Sequence, residues 1–307
     1  MTAISNDTST QTQHPLRAAG WMFGALLSFS TLAVAARNVS EELDTFQLMF
    51  FRSVIMLAMV VSIGMLSPGG LGQFRTKNLK GHLARNCAHF VGQFGWFFGV
   101  AAIPLAQVVA IEFTTPLWIG VFAPFLLGER MTLVRGLVLV VGFSGVLVVV
   151  RPWEAEIQAG SVAVMVAAVG FALSMITTKR LTRSDSVLCI LFYMGLMQAP
   201  MGLLPALWSW VMPGPEVWAW MVLISTCGMS AHFCLAKALS SADALVVAPM
   251  DYLRLPVFAL VGYVFFAETV GIEVVLGGLV ILISNWLNTW LEARRTRRAR
   301  AAAAISS

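Results

Sequence analysis

The sequence predicts an all-α integral membrane protein, with ten transmembrane helices arranged as two inverted five-helix repeats, and three observations predict it. The 307 residues are 58% hydrophobic and only 11% charged, with a mean hydropathy of +0.82, which leaves too little polar surface to cover a soluble globule of this length. Apolar runs of roughly 20 residues, the length that a bilayer core about 30 Å thick demands, recur ten times with short loops between them. Finally, two stretches in corresponding places of the two halves, 111–129 and 248–268, are apolar yet carry an acid inside the span and are interrupted by proline.

Residues 1–17 are rich in Ser, Thr and Gln and hold no apolar signal core, so they are expected as a disordered cytoplasmic tail. The helices are expected at 18–36, 45–65, 82–103, 106–127, 132–150, 160–178, 186–212, 217–238, 244–266 and 271–291. Pro68-Gly69-Gly70, Pro104, Arg151-Pro152 and Pro213-Gly214-Pro215 punctuate the loops. The first repeat then occupies 18–150, the second 160–291, and 292–307 forms a basic cytoplasmic tail.

Alternate loops differ in charge. With the amino terminus inside, one side holds Arg17, Arg75, Lys77, Lys80, Arg85, Arg130, Arg135, Lys179, Arg180, Arg183, Lys237 and the arginines from Arg294 to Arg300; the other holds Arg37 and Arg151 among Glu41, Glu42, Asp44, Glu154, Glu156, Glu216, Glu268 and Glu273. The basic side is the cytoplasmic one, which places both termini inside. Five is an odd number of crossings, so the second repeat starts from the opposite face and is inverted. The net charge of +5 sits in these loops and the tail as a topology signal, not as a nucleic-acid surface.

Small residues at helix-packing spacing, Gly20 and Gly24, Gly95 and Gly99, Gly142 and Gly145, let backbones approach where lipid is as apolar as leucine. Trp208, Trp210, Trp218, Trp220, Trp286 and Trp290 fall near span ends as an interfacial belt does, while Trp96 and Trp118 lie deeper, as packing or as a pocket wall. Cys87, Cys189, Cys227 and Cys234 lie within apolar segments without metal-ligand spacing and are read as buried packing residues.

The chain resembles the bacterial ten-helix EamA-type permeases of the drug/metabolite transporter superfamily over nearly all of 18–291. The resemblance rests on Phe50-Phe51-Arg52, on Pro116 through Leu127-Gly128-Glu129-Arg130, on Gly142 through Arg151-Pro152, on Asp251-Tyr-Leu-Arg-Leu-Pro256 through Ala267-Glu268, and on Leu276-Gly-Gly-Leu-Val-Ile. Ala267 stands where a glycine usually precedes the second glutamate, and Pro256 sits one place nearer its glutamate than Pro116 does. The resemblance implies a central cavity opening alternately to the two faces of the inner membrane. It also implies a small polar or zwitterionic metabolite as cargo, in the class of amino-acid derivatives, riboflavin or S-adenosylmethionine. No cofactor or metal is expected; protons are a candidate coupling ion and a homodimer a candidate assembly.

Candidate site residues are the polar groups within spans, since a charge there is kept only where it faces protein or water. Aligned on the closing glutamates, Glu112 falls on Asp251. By helix rise, Arg52 and Glu112 lie roughly 9–10 Å below the outer ends of their spans, so they are expected as a pair, structural or substrate-binding. Tyr193, Asp251 and His232 lie near one level in the inner third, where an acid beside a histidine suits proton relay; the bland alternative is a histidine that is merely hydrogen-bonded. Arg254 stands near the midplane, either held by Asp251 three residues away or meeting substrate. Phe90, Gln93 and Phe97 share a face of the third span as core or as a stacking wall, and Trp118 is a further wall candidate. Glu129 and Glu268 are assigned to helix ends.

The rival class is a membrane-embedded lipid or acyl transferase. The chain shows no His-Glu-x-x-His, no Gly-x-Ser-x-Gly and no loop large enough for a catalytic domain, and an assembly subunit would not require matching acid-bearing, proline-broken spans.

Overall fold

The computed structural model describes residues 15–127, 133–151, 153, 157–182, 184–241 and 250–306. Glu129, Pro249 and most of the amino-terminal tail lie outside them. The elements are α1 (Pro15–Val39), α2 (Thr45–Leu66), a 3-10 turn (Gly70–Phe74), α3 (Leu79–Ala102), α4 (Leu105–Glu112), α5 (Thr115–Leu127), α6 (Leu133–Val150), α7 (Ala159–Leu181), α8 (Val187–Ala206), α9 (Pro215–Ser241), α10 (Arg254–Phe266) and α11 (Ile272–Ser306). Several begin as their sequence directs: Asp44, Asn78 and Ser186 accept the Gln47, Gly81 and Cys189 N–H groups as N-caps of α2, α3 and α8.

Among the described residues, six stretches are long and apolar enough to cross a membrane, one of them 105–122, which runs through the break between α4 and α5. The remaining spans are shorter or more polar, and ten helices fit the count. The most extensive helix pairings run between the halves: α1 packs on α9, α3 on α7, α2 on α8 and α6 on α11. In terms of position within each repeat, first meets third, third meets first, second meets second and fifth meets fifth. That reciprocal pattern is what a two-fold relation between the halves requires.

The α6–α11 crossing shows why glycine is placed there. A Cβ on Gly145 would stand 2.8 Å from the Gly277 carbonyl oxygen, and one on Gly277 would stand 2.5 Å from that of Gly145, so each backbone rests on the other's missing side chain. Gly24, Gly95, Gly99 and Gly142 likewise face neighbouring helices, whereas Gly20 faces open space.

Four expectations change. The fourth span is two helices, not one. The last helix does not stop at residue 291 but runs to Ser306, because an Arg- and Ala-rich tail has high helix propensity of its own. The seventh span, expected at 186–212 and observed as α8, ends at Ala206, ahead of the Pro213-Gly214-Pro215 connection. Cys87 is exposed on α3, unlike buried Cys189, so the packing role expected for it does not hold.

Candidate functional site

Both broken spans break for the same reason. Pro116 has no N–H to bond the carbonyl of Glu112, and its ring crowds that carbonyl, so α4 ends at Glu112 and α5 begins at Thr115. The freed groups are all taken up: Thr114 Oγ1 donates to the Ile111 carbonyl and Thr115 Oγ1 to that of Glu112, each at 2.7 Å, and Asn285 Nδ2 of α11 donates to the Phe113 carbonyl at 2.6 Å. In the second half Pro256 stands four residues after Tyr252. Asp251 is the last helical residue before a turn at Tyr252 and Leu253, and α10 starts at Arg254. Break matches break, with Glu112 opposite Asp251 and Phe113 opposite Tyr252. The two aromatic rings meet edge to face, 5.5 Å apart.

Arg254 joins the two breaks. Its Nη2 lies 3.0 Å from Glu112 Oε1 and 3.4 Å from Asp251 Oδ2, and its Nε lies 3.1 Å from Asp251 Oδ1 as an ionic contact whose N–H is not aligned for a hydrogen bond. Trp96 Nε1 donates to the other oxygen of Glu112 at 2.9 Å. The rings of Phe29 and Phe113 sit 5.0 and 5.1 Å from the guanidinium carbon, a cation–π contact on each. The Arg254 side chain is 8% exposed, that of Glu112 14% and that of Asp251 27%. One arginine thus closes a ring of charge across the two halves, and Glu112 ends α4, where the helix dipole favours a cation beside it.

The expected Arg52–Glu112 pair does not form. Helix rise gave both residues a similar depth but says nothing of the direction each side chain takes, and α2 packs on α8 and α9 while α4 packs on α10 and α7. Arg52 is 3% exposed, lies 5.7 Å from the Phe97 ring and reaches α9 beside Gly228, whose missing side chain leaves it room. His232 is exposed and packs edge-on to Phe29 at 5.9 Å; among the described residues no contact joins it to Asp251, so the expected acid–histidine relay is not assembled here. Tyr193 lies apart from the ring of charge, with its own ring 4.5 Å from that of His82. Gln93 is buried with Oε1 unpartnered, and Trp118 is half-buried with Nε1 unpartnered and its ring 4.8 Å from Phe143.

Sequence reasoning missed most of α3. His82, Arg85, Asn86, His89 and Gln93 are all buried along one face of it, although His82 was read as a span end and Arg85 as a loop charge. Arg85 donates to Asn86 Oδ1 at 2.9 Å and to Thr178 Oγ1 at 3.3 Å, and Gln198 Nε2 reaches both Asn86 Oδ1 and His89 Nδ1. Polar residues at 82, 86, 89 and 93 follow the helical period, and that spacing was the available signal. At the start of the same helix His82, Asp185 and Cys189 bring ligand-type atoms within 4.8 Å of one another, a grouping that separation in sequence conceals.

One end of the bundle is fastened by Arg37 and Glu268. Arg37 pairs with one oxygen of Glu268 and donates to the Val100 and Ile103 carbonyls. The other oxygen of Glu268 accepts the N–H of Leu105, the first residue of α4, at 2.8 Å. The expected helix-end role of Glu268 is met across the halves: it caps the first half-helix of one repeat from the end of α10 in the other.

The EamA-like transporter family matches the chain twice, over residues 16–151 and 158–290. The S-adenosylmethionine uptake transporter of Rickettsia prowazekii (strain Madrid E) is 28% identical over 85% of this chain and 88% of its own length. The riboflavin transporter of Vibrio cholerae is 29% identical over 94% and 97%, and the pseudopaline exporter of Pseudomonas aeruginosa is 25% identical over 85% and 91%. A solved crystal structure superposes with a TM-score of 0.60 at 20% identity, covering 91% of this chain and 98% of the other, and so shares the fold. Two family matches, one per half, and long apolar helices that pair reciprocally between the halves lead to one statement: the chain is an integral membrane protein and belongs to the EamA-like transporter family.

Proposed function

We propose that the protein is a secondary transporter of the bacterial inner membrane that carries a small polar or zwitterionic metabolite by alternating access, with both termini cytoplasmic and 18–150 and 160–291 as the two units that rock. The observation that carries this reading is the meeting of two broken helices, one from each half, on the single guanidinium of Arg254. Half-helix ends at the middle of a span are where transporters of inverted-repeat design bind their cargo. A link that both units share, Glu112 from one and Asp251 with Arg254 from the other, is remade whenever they rock. With this topology the Arg37–Glu268 fastening lies on the outer face, where it ties the two units together.

Glu112, Asp251 and Arg254 form the centre of the proposed site, with Arg52, Phe97, Gln93 and His232 beside it and Trp118 and Tyr193 toward its margins. Glu112 and Asp251 draw a cationic group of the cargo and release Arg254 as they do so. Relatives named for S-adenosylmethionine and riboflavin support a small-metabolite cargo.

The test is to profile metabolites in cells and medium with and without the protein, then to follow the leading compound, alongside S-adenosylmethionine and riboflavin, into sealed proteoliposomes. Time-dependent accumulation of an unaltered compound is expected. Chemical conversion without net movement would favour the transferase class instead.

A further inference from the structure

Among the described residues, two buried arginines face no acid. Glu112 and Asp251 both serve Arg254. Arg52 and Arg85 are 3% and 7% exposed, and among the described residues neither forms an ion pair. Arg85 has neutral partners in Asn86 and Thr178. For Arg52 the described contacts of the guanidinium are the face of Phe97 and the space beside Gly228, and its Nε is buried without a hydrogen-bond partner. A cation–π contact is far too weak to offset the burial of an unpaired charge, so Arg52 is kept in a costly place.

Phe97, under Arg52, packs its ring edge-on at 5.2 Å against Trp96, and Trp96 holds Glu112. The unpaired arginine therefore adjoins the ring of charge around Arg254 through two consecutive aromatic residues. Glu112 and Asp251 are taken by Arg254, so the one formal positive charge of Arg52 has no ion-pair partner among the described residues, and a single carboxylate balances it, whereas a doubly charged phosphate overshoots.

We propose that Arg52 is an anion subsite that takes a carboxylate of the cargo. Resting on the transport reading above, this narrows the cargo to compounds bearing a free carboxylate, with any cationic group directed to Glu112 and Asp251. S-adenosylmethionine has such a carboxylate and riboflavin has none, so the first fits this subsite and the second does not.

Two measurements on the full-length protein test it. The first is melting in detergent. Arg52→Met removes an unpaired charge and keeps an unbranched apolar stem, so it should melt higher than the parent, as residues held for function at a cost in stability do; a lower melting point would mark Arg52 as structural and overturn the proposal. Sodium formate, the smallest carboxylate, should raise the melting point of the parent by a few degrees over sodium chloride at equal ionic strength, by linkage, and leave Arg52→Met unmoved. Equal responses of the two proteins to formate would refute the subsite whether or not the protein transports. The second is metabolite redistribution by cells expressing the parent, Arg52→Lys or Arg52→Met at matched membrane levels. The compounds moved by the parent should bear a carboxylate, with flux at least tenfold lower for Arg52→Met and partly restored for Arg52→Lys. Redistribution of compounds without a carboxylate, or undiminished flux through Arg52→Met, would refute the subsite and leave transport standing; no redistribution by the parent, with the formate response present, would refute transport and leave the subsite standing.

Discussion

Replacing Glu268 by alanine should open the end of the bundle that the structure shows fastened. The side chains of Arg37 and Glu268 are 15% and 12% exposed, so water screens them little. The substitution removes the ion pair with Arg37 and the bond from the Leu105 N–H at 2.8 Å, two charge-assisted hydrogen bonds worth about 1.5–3 kcal/mol each when fully desolvated. Arg37 keeps its bonds to the Val100 and Ile103 carbonyls, which softens the loss. A net cost of roughly 2–4 kcal/mol to the closed arrangement follows, and at about 1.4 kcal/mol per tenfold it shifts the balance between closed and open states roughly 30- to 700-fold. Spin labels at Asn38 and Val270, beside the two partners, would read this as a distance distribution in a background with the four native cysteines replaced. The parent should give one short distance, and Glu268→Ala a longer, dominant one. An unchanged distribution would refute the assignment of this pair as the fastening of one gate.

Three further predictions address topology, the turn after α10 and the loop before α8. Impermeant maleimide applied to intact cells should label a cysteine placed near Glu154 and spare one placed after Arg300; labelling of the latter from outside would invert the topology. Ala267 sits in the left-handed region at φ +52° as the C-cap of α10, a conformation that costs a non-glycine residue about 1–2 kcal/mol, so Ala267→Gly should raise the melting temperature, and a lower one would contradict the cap. Asp185 lies in the loop before α8, where burial alone would raise its pKa, but hydrogen bonds from Ser184 and Thr76 prevail and hold it below the usual carboxylate value of 3.8. Its contribution is therefore present above about pH 4 and fades as pH falls below that, so Asp185→Asn should destabilise the protein at neutral pH more than at pH 3.

Much of this architecture was legible in the sequence because bilayer physics leaves few choices. Span length and the prolines at 116 and 256 are one-dimensional signals, and the match of Glu112 to Asp251 followed from counting back from Glu129 and Glu268. What failed was azimuth. Counting residues gave Arg52 and Glu112 a common depth, but which helix each faces is fixed by packing between the halves, and that gave Glu112 to Arg254. Arg37 read as a loop charge because nothing local reveals that Glu268, from the other half, reaches it. On α3, loop-like residues at the helix start hid a polar stripe that continues one turn after another into the span. Phe29, which lies under Arg254 and against His232, carries no signal in a chain with 20 phenylalanines.

The most direct test of the central claim is transport by a variant in which the ring of charge is neutralised while its shape is kept: Glu112→Gln, Asp251→Asn and Arg254→Gln together, reconstituted beside the parent with the compound that metabolite profiling identifies. If the three residues only fasten two broken helices, amides of similar shape should hydrogen-bond in their place and transport should survive. The account predicts that the variant inserts and melts within a few degrees of the parent yet moves the compound at less than one-hundredth of its rate; near-normal flux would contradict it.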